Sequence, residues 1–392
     1  MRKRLLAGLF FAVLLLYNGS WARAESAKSA ILTEMETGRV LYEKNAHQAL
    51  PMASTTKVMT ALLALEKGTL SDPVTASRNA FGVPGTSIYL AEGETLTLNE
   101  MLLGLMLQSG NDAAVAIAEH IAGDVDTFCR MMTRRAEEMG CENTLFSTPH
   151  GLPAANHHTT ASDLALITRT ALQHPDFRRI VATKTASIPW AGHPYNRVLN
   201  NKNKLLSTYE GALGVKTGYT RAAGRCLVFA AERNGMTVVG CVLNDPDWFR
   251  DAAQIMDDAF ARFSMVTMLE ENESAGLVPV ENGEREHVSV YTKNALKAPV
   301  KQGTLPTVET VLPSVLPAPV EQGMWERPSS TMKGRPWPGS LCMPGKAWRK
   351  SLFASTSDAS LPSGLPRNIH PLTGGIFSAL CILIWFFALR RA

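Results

Sequence analysis

MASTTKVMTALLALEKG, residues 52–68, is the stretch that decides the fold of this chain. The residues after Lys57 are mostly apolar, and Gly68 ends the run. This pattern predicts a helix over 53–67 that is buried in the centre of its domain. Ser54 and Lys57 stand three positions apart at its start and share one helix face. A hydroxyl needs an adjacent base to act as a nucleophile, and burial or a second cation makes lysine such a base. The stretch predicts either a capping serine with a solvated lysine, or a nucleophile with its base.

The spacing S-x-x-K is weak by itself, because it is expected about once or twice by chance in a chain of this length. It occurs again at 330–333, in a proline-rich segment with no apolar helix behind it, and we interpret that copy as a chance match. Two further motifs support a catalytic role for the first copy, at Ser54 and Lys57. Ser109-Gly110-Asn111 falls in the break between apolar helices predicted over 97–107 and 112–122, and Lys216-Thr217-Gly218 ends a strand predicted over 210–219.

Each of these motifs has a simpler interpretation, as a helix cap or as a strand edge. Near copies also occur at 77–79, which we interpret as a loop, and at 184–186, which lacks the glycine. The order S-x-x-K, S-x-N, K-T-G, with intervals of 55 and 107 residues, is nevertheless specific for the active-site set of penicillin-binding proteins and class A β-lactamases.

The surrounding pattern predicts an α+β domain in which a helical cluster packs on an antiparallel sheet. A hairpin is expected over 29–43, and the pair Asn234-Gly235 between apolar runs indicates a second hairpin. Strands are expected from about residue 181. Further helices are predicted over 124–140, over 161–174 with Thr160 or Ser162 as cap, and over 247–264.

The chain resembles the low-molecular-mass penicillin-binding proteins that act as D-alanyl-D-alanine carboxypeptidases, serine peptidase family S11. The resemblance rests on PMASTTKVMTALLALE, LLGLMLQSGNDAAVAIAEHIAG, FSTPHGLP, TTASDLALITRTAL and GVKTGYTRAAGRCLVFAA, and covers residues 28–264 closely. It implies the penicillin-binding/β-lactamase-like fold. It also implies removal of the terminal D-alanine from peptidoglycan stem peptides that end in D-Ala-D-Ala, acylation by β-lactam antibiotics, and no metal or other cofactor.

By this resemblance Ser54 is the acyl-ester nucleophile and Lys57 the general base. Ser109 relays a proton to the leaving amine, and Asn111 binds the substrate amide. Lys216 binds the terminal carboxylate and lowers the pKa of Lys57. The substrate-binding residues implied are Thr217, Gly218, Tyr219 and Lys202, with the backbone N–H groups of Ser54 and Tyr219 as the oxyanion hole. The family often has histidine at the position of Tyr219. We interpret His150 as a loop-stabilising residue.

Two other functions share these motifs. A class A β-lactamase needs a deacylating glutamate in an E-x-x-L-N stretch after the second motif; none is present there, and the second motif reads SGN. A penicillin-binding sensor or scaffold with poor turnover would carry the same motif residues, so the sequence leaves that alternative open.

The two ends of the chain predict an exported, membrane-anchored protein. Residues 1–24 combine Arg2 to Arg4, an apolar run and Ala22-Arg23-Ala24, which is typical of a secretory signal peptide. Residues 372–391 hold an uncharged apolar run followed by two arginines, which indicates a C-terminal transmembrane anchor with its arginines in the cytoplasm. We therefore expect a single-pass protein on the outer face of the cell membrane.

Between the catalytic domain (25–264) and the anchor we predict a small β-rich domain over 265–355 and a Pro/Ser linker over 356–371. APVKQG at 298–303 recurs as APVEQG at 318–323, which suggests a turn used twice. Residues 1–24 hold four of the 39 basic residues and none of the 35 acidic ones, so the rest of the chain is neutral and nucleic acid is not an expected partner.

The six cysteines lack zinc spacing, and Cys226 and Cys241 are expected to be free and buried on neighbouring strands.

Overall fold

The computed structural model describes residues 26–283, 286–304, 312, 314–317, 324–325 and 341–342. The chain forms two compact units. The first holds the described residues up to Leu32, Tyr42–Ala231 and Val239–Met256. The second holds Thr33–Leu41, Glu232–Val238 and the described residues from Asp257 onward. The predicted signal peptide, linker and C-terminal anchor lie outside the described residues, as does the second copy of the repeated turn.

Most helices of the first unit follow one another in the middle of the chain, and the strands of its main sheet come before and after them, as is typical of an α+β domain. The helices of the described residues are α1 (Lys57–Lys67), α2 (Leu98–Leu103), α3 (Asn111–Ala122), α4 (Val125–Glu138), α5 (Ala161–Leu172), α6 (Pro175–Ala182), α7 (Leu205–Thr208) and α8 (Trp248–Arg262). The strands up to α8 are β1 (Ser29–Glu34), β2 (Val40–Lys44), β3 (Pro73–Thr75), β4 (Thr95–Thr97), β5 (Thr185–Ile188), β6 (Arg197–Asn200), β7 (Ala212–Thr220), β8 (Gly224–Arg233) and β9 (Met236–Leu243).

A five-stranded sheet in the order β2-β1-β9-β8-β7 places the lysine motif at 216–218 on an edge strand. Its two hairpins confirm the predictions over 29–43 and around Asn234-Gly235. Asn234 and Gly235 have φ angles of 50° and 74°, the left-handed conformation that a two-residue hairpin turn requires. Strands β7 and β8 pair antiparallel, with Lys216 opposite Val228 and Gly218 opposite Cys226.

Helix α1 is the central helix, as its apolar run predicted. Every residue from Lys57 to Leu65 is buried. The helix contacts α3, α5 and α6, so packed side chains surround it. A helix that is apolar all round is stable only in such a position. The burial of α1 therefore carries Lys57, at its first position, out of contact with water.

Four local predictions differ from the structure. The helix predicted over 53–67 begins with a 3₁₀ turn, Ala53–Thr56. The helix predicted over 97–107 ends in a π-helical turn, Gly104–Gln108, a form often found at functional sites. Helix α6 was not predicted, because the strand pattern was placed from about residue 181; Pro175 starts it, and its apolar side chains face inward. The last predicted helix ends at Arg262, and a strand follows directly.

The structure shows free, buried thiols at Cys129, Cys141, Cys226 and Cys241, which confirms the prediction for Cys226 and Cys241. Burial raises the pKa of the Cys226 thiol to about 12 and that of Cys129 to about 12 as well. A thiol that is protonated at neutral pH is a weak nucleophile. These cysteines therefore serve as small apolar side chains of the core.

The second unit contains β-strands, as predicted, together with the end of α8. They include β10 (Phe263–Leu269), β11 (Ser274–Glu281), β12 (His287–Thr292) and β13 (Leu296–Lys301), followed by the two-residue strands β14 (Leu316–Pro317), β15 (Met324–Trp325) and β16 (Leu341–Cys342). Strand β10 pairs antiparallel with β13, and β11 with β12. A small core forms from Val278, Val288, Val290 and Leu316. No helix in the described part of the chain is long and apolar enough to span a membrane.

A buried ion pair ties the β5–β6 hairpin to the loop before β4. The Arg197 guanidinium lies 2.9 Å from a Glu94 carboxylate oxygen, and both side chains are under 5% exposed. We expect Glu94→Gln to lower the free energy of unfolding by about 3–5 kcal/mol, because the buried guanidinium loses its counter-charge. Glu92→Gln is the matched control, since Glu92 pairs with Arg78 at the same 2.9 Å in solvent. There we expect a change of at most about 1 kcal/mol. Equal effects in denaturant unfolding would contradict the prediction.

Candidate active site

Ser54 lies in the 3₁₀ turn that precedes α1, and the turn is held by its own hydroxyl groups. Ala53 has a left-handed φ of 48°. The Thr56 hydroxyl donates to the Ala53 carbonyl oxygen at 2.8 Å, and the Thr55 hydroxyl donates to the Met52 carbonyl oxygen at 2.5 Å. These bonds stabilise a backbone conformation that alanine rarely adopts by itself. The position of the Ser54 hydroxyl is thereby fixed.

A second segment buttresses this turn from outside. Gly151 has a φ of 89°, and a Cβ atom there would lie 1.8 Å from the Ala53 carbonyl oxygen, so only glycine fits. His157 is buried, and its Nε2 lies 2.8 Å from the Thr56 hydroxyl oxygen. Its Nδ1 accepts from the Ser147 backbone N–H at 3.0 Å, so Nε2 carries the proton and donates to Thr56. Burial lowers the pKa of His157 to about 4, which keeps the ring neutral.

His157 was missed by the sequence analysis. It precedes TTASDLALITRTAL, a stretch that supported the resemblance, but a single histidine in a loop carries no signal of its contact. His150 does what was predicted, since its Nδ1 accepts from the Leu152 backbone N–H at 3.2 Å within the loop. Its backbone carbonyl has a further contact, with Lys57, which the sequence did not reveal.

Lys57 is fully buried and its ammonium nitrogen has three oxygen partners. Nζ lies 2.7 Å from Asn111 Oδ1, 2.7 Å from the His150 carbonyl oxygen and 3.1 Å from Ser54 Oγ. Burial lowers the pKa of Lys57 well below its usual 10.5, and the charges of Lys216 and Lys202 lower it further. A neutral amine has two hydrogens. If they go to the two acceptors at 2.7 Å, the lone pair faces the Ser54 hydroxyl, which is the arrangement a general base needs.

The S-x-N motif lies where it was expected, between the π turn that follows α2 and the start of α3. Ser109 takes a left-handed φ of 65°, and its buried Oγ has no hydrogen-bond partner within the described residues. Asn111 is engaged at both ends of its amide, because Nδ2 donates to the Pro84 carbonyl oxygen at 2.6 Å while Oδ1 accepts from Lys57. The contacts of Asn111 orient Lys57, and the contact with a substrate amide stays a prediction.

The K-T-G motif lies within β7, directly against the Ser54 turn. A Cβ atom at Gly218 would lie 2.8 Å from the Ser54 backbone nitrogen, so the absent side chain lets the strand approach the nucleophile. Lys216 is buried, and its Nζ donates to the Thr217 carbonyl oxygen at 2.8 Å. Burial, followed by the charge of Lys202, lowers the pKa of Lys216 to about 7. The protonated forms of both Lys57 and Lys216 are therefore destabilised close to Ser54.

A groove of about 690 Å³ opens over Ser54 within the first unit. Ser109, Lys202, Thr217, Gly218 and Tyr219 line it together with Ser54, so six of the nine predicted site residues meet there. Lys57, Asn111 and Lys216 lie beneath its surface. Sequence reasoning missed the far wall, which is formed by Arg225 and the residues Pro246, Asp247, Trp248, Phe249 and Arg250. Of the near copies, Ser77 and Asn79 bind Glu119 in a loop, as interpreted above.

The chain is similar to known proteins over most of its length. A family model described as D-alanyl-D-alanine carboxypeptidase matches residues 19–247, and one described as penicillin-binding protein 5, C-terminal domain, matches 263–324. D-alanyl-D-alanine carboxypeptidase DacF of Bacillus subtilis (strain 168) is 34% identical over 75% of this chain and 80% of its own length. DacC of Escherichia coli (strain K12) is 31% identical over 69% and 70% of the two chains.

Two solved structures show the same similarity. Penicillin-binding protein 5 from Haemophilus influenzae matches 83% of this chain and 98% of its own with a TM-score of 0.69 at 25% identity. A mutant form of the Streptomyces K15 DD-transpeptidase matches 61% of this chain and 99% of its own with a TM-score of 0.57 at 34% identity.

Proposed function

Since the chain belongs to the D-alanyl-D-alanine carboxypeptidase family of serine peptidases, we propose that it removes the terminal D-alanine of peptidoglycan stem peptides through an ester on Ser54. The observation that carries this proposal is the Nζ of the fully buried Lys57, which lies 3.1 Å from Ser54 Oγ at the floor of the groove. No metal ion is needed for this chemistry, because a hydroxyl beside a neutral amine supplies both the nucleophile and the base.

The reaction has two steps. In the first, Ser54 Oγ attacks the carbonyl carbon of the penultimate D-alanine while its proton passes to Lys57. The peptide bond breaks, and Ser109, which lines the groove and whose hydroxyl has no partner within the described residues, relays a proton to the departing D-alanine amine. In the second step water hydrolyses the ester and releases the shortened peptide. A β-lactam ring opens on Ser54 in the same manner, and its ester persists for longer.

The residues in and beneath the groove bind and orient the substrate. Lys216, Thr217 and Lys202 bind the terminal carboxylate, and Asn111 contacts the substrate amide from beneath the surface. Gly218 and Tyr219 border the substrate backbone. The backbone N–H groups of Ser54 and Tyr219 form the oxyanion hole, in which each donor is worth about 3–4 kcal/mol. The packing of Gly218 on the Ser54 backbone supports this assignment, since it brings the two segments together.

An assay of two readouts tests the function. The full chain, solubilised in mild detergent, is incubated with a synthetic peptide ending in D-Ala-D-Ala, and free D-alanine is measured. A second sample is labelled with fluorescent penicillin. Release and labelling together are the expected result. Labelling without release would favour a penicillin-binding sensor, and hydrolysis of penicillin faster than peptide would favour a β-lactamase. Neither labelling nor release would refute the proposal.

We further propose that the protein acts on the outer face of the cell membrane, held by residues 372–391 after loss of residues 1–24. The substrate class supports this location, because the peptidoglycan is assembled outside the membrane. Cell fractionation of the full chain and of a chain that ends at residue 371 tests it. The full chain is expected in the membrane fraction and the shortened chain in the soluble extracytoplasmic fraction. The same distribution of both would refute the anchor.

A further inference from the structure

An exposed cluster of aromatic rings occupies the tip of the β5–β6 hairpin, and neither the fold nor the proposed reaction uses it. The rings belong to Trp190, His193 and Tyr195. The centroid of Trp190 lies 4.2 Å from that of His193 and 5.9 Å from that of Tyr195. Tyr195 is 59% exposed. Contiguous exposed apolar side chains are typical of surfaces that bind a ligand.

The cluster is rigidly mounted. The Arg197 guanidinium lies 5.1 Å from the centroid of the Trp190 ring and forms the buried ion pair with Glu94. Arg197 also donates to the Pro189 carbonyl oxygen at 2.9 Å and to the Tyr89 carbonyl oxygen at 3.3 Å. A surface that is already ordered loses little conformational entropy when a ligand binds. The buried ion pair therefore supports a binding platform as well as the fold.

Two segments lead from the catalytic groove to this aromatic platform. Thr86 lines the groove, and three residues further along Tyr89, itself 73% exposed, accepts the bond from Arg197. Lys202 also lines the groove, and strand β6 ends two residues before it. Arg197, whose guanidinium lies against the Trp190 ring, precedes Lys202 by five positions, which is at most about 16 Å in an extended chain. Two short backbone segments thus connect the platform to the groove residues Thr86 and Lys202.

We propose that the aromatic platform binds the sugar chain to which the substrate's stem peptide is attached. This rests on the proposed function, which puts the terminal carboxylate near Lys202. A stem of about five residues spans roughly 16–18 Å when extended, so its first sugar falls at the distance of the platform. Pyranose rings present apolar C–H faces that stack on aromatic rings. The tip sequence PWAGHPYN contains no lysine or arginine, which favours an uncharged glycan over an anionic lipid surface.

The test compares one reaction on two substrates. The full chain, solubilised in mild detergent, acts on a free pentapeptide ending in D-Ala-D-Ala and on uncrosslinked glycan strands that carry the same pentapeptide. We expect Tyr195→Ala, and the double variant with Trp190→Ala, to lower kcat/KM on the glycan-borne substrate by about tenfold while the free-peptide value stays within about twofold. Phe81→Ala is the matched control, because Phe81 is an exposed aromatic ring whose centroid lies 5.8 Å from the Arg78 guanidinium carbon.

The outcomes separate this proposal from the function on which it rests. A parent chain that fails on the free peptide refutes the function. Equal loss on both substrates, or no loss on either, refutes the glycan platform. A direct measurement uses a chitin oligosaccharide, whose binding is expected to weaken in Tyr195→Ala and not in Phe81→Ala. Loss of binding to phosphatidylglycerol vesicles with unchanged use of glycan strands would overturn the proposal in favour of a lipid contact. Because Tyr195 is largely exposed, its single variant keeps the test valid if Trp190→Ala unfolds.

Discussion

Ser54→Ala is expected to abolish labelling by fluorescent penicillin and to lower the rate of D-alanine release by at least about 10⁴-fold. The hydroxyl is the group that forms the ester, and none of the other hydroxyls in the described chain lies within hydrogen-bonding distance of Lys57 Nζ. The variant removes one oxygen from a partly buried position, and the fold should be retained because the hydrogen bonds that hold the turn come from Thr55 and Thr56.

Two controls accompany this variant. Ser330→Ala removes the serine of the second S-x-x-K motif and is expected to leave penicillin labelling and D-alanine release unchanged. Ser77→Ala removes the serine of the near copy at 77–79, whose hydroxyl binds Glu119, and is expected to affect stability alone. If Ser54→Ala still formed a penicillin ester, or if Ser330→Ala lost it, the assignment of the nucleophile would be wrong.

Lys57→Arg is expected to lower the rate of penicillin acylation by about 10²–10⁴-fold. Arginine is always protonated, so it cannot accept the Ser54 proton as the neutral amine of Lys57 can. The measurement is the rate constant of acylation in stopped-flow or quenched labelling. A rate within about threefold of the parent would show that proton transfer does not depend on this amine.

The pH profile of acylation should be a bell whose limbs belong to the two buried lysines. Lys57 must be neutral, so the rate falls as the pH drops below its lowered pKa. Lys216 must be charged to bind a carboxylate, so in the free enzyme the rate falls as the pH rises past about 7. Burial and the charges of Lys216 and Lys202 lower the pKa of Lys57 and so favour the neutral amine that the reaction requires.

Lys202→Gln tests the cause of these shifts. The charge of Lys202 lowers the pKa of both buried lysines, so its removal should move both limbs to higher pH. Lys204→Gln is the matched control, because Lys204 lines the same groove without contributing to either shift. A profile that changes in height alone would show that Lys202 acts on the substrate and not on the lysines.

Local chemistry in the sequence determined much of this protein. The Asn234-Gly235 turn and the alternating strands around it specified the hairpin β8–β9, since left-handed turn residues allow few other structures. The apolar run behind Lys57 specified a central helix, because such a run has no face that tolerates water. The three spaced motifs identified the site residues by resemblance, and the structure brings six of them to one groove.

Contacts between residues far apart in the chain were decided only by the tertiary structure. The bond from His157 to Thr56 spans 101 residues, and the packing of Gly218 on Ser54 joins two distant segments. Residues 33–41 and 232–238 group with the second unit although they lie within the span predicted for the catalytic domain. The lowered pKa of Lys57 likewise depends on burial and on charges at 202 and 216. The spacing of apolar residues predicts whether one segment forms a helix or a strand. Desolvation and hydrogen bonding depend on which segments come into contact in the folded chain.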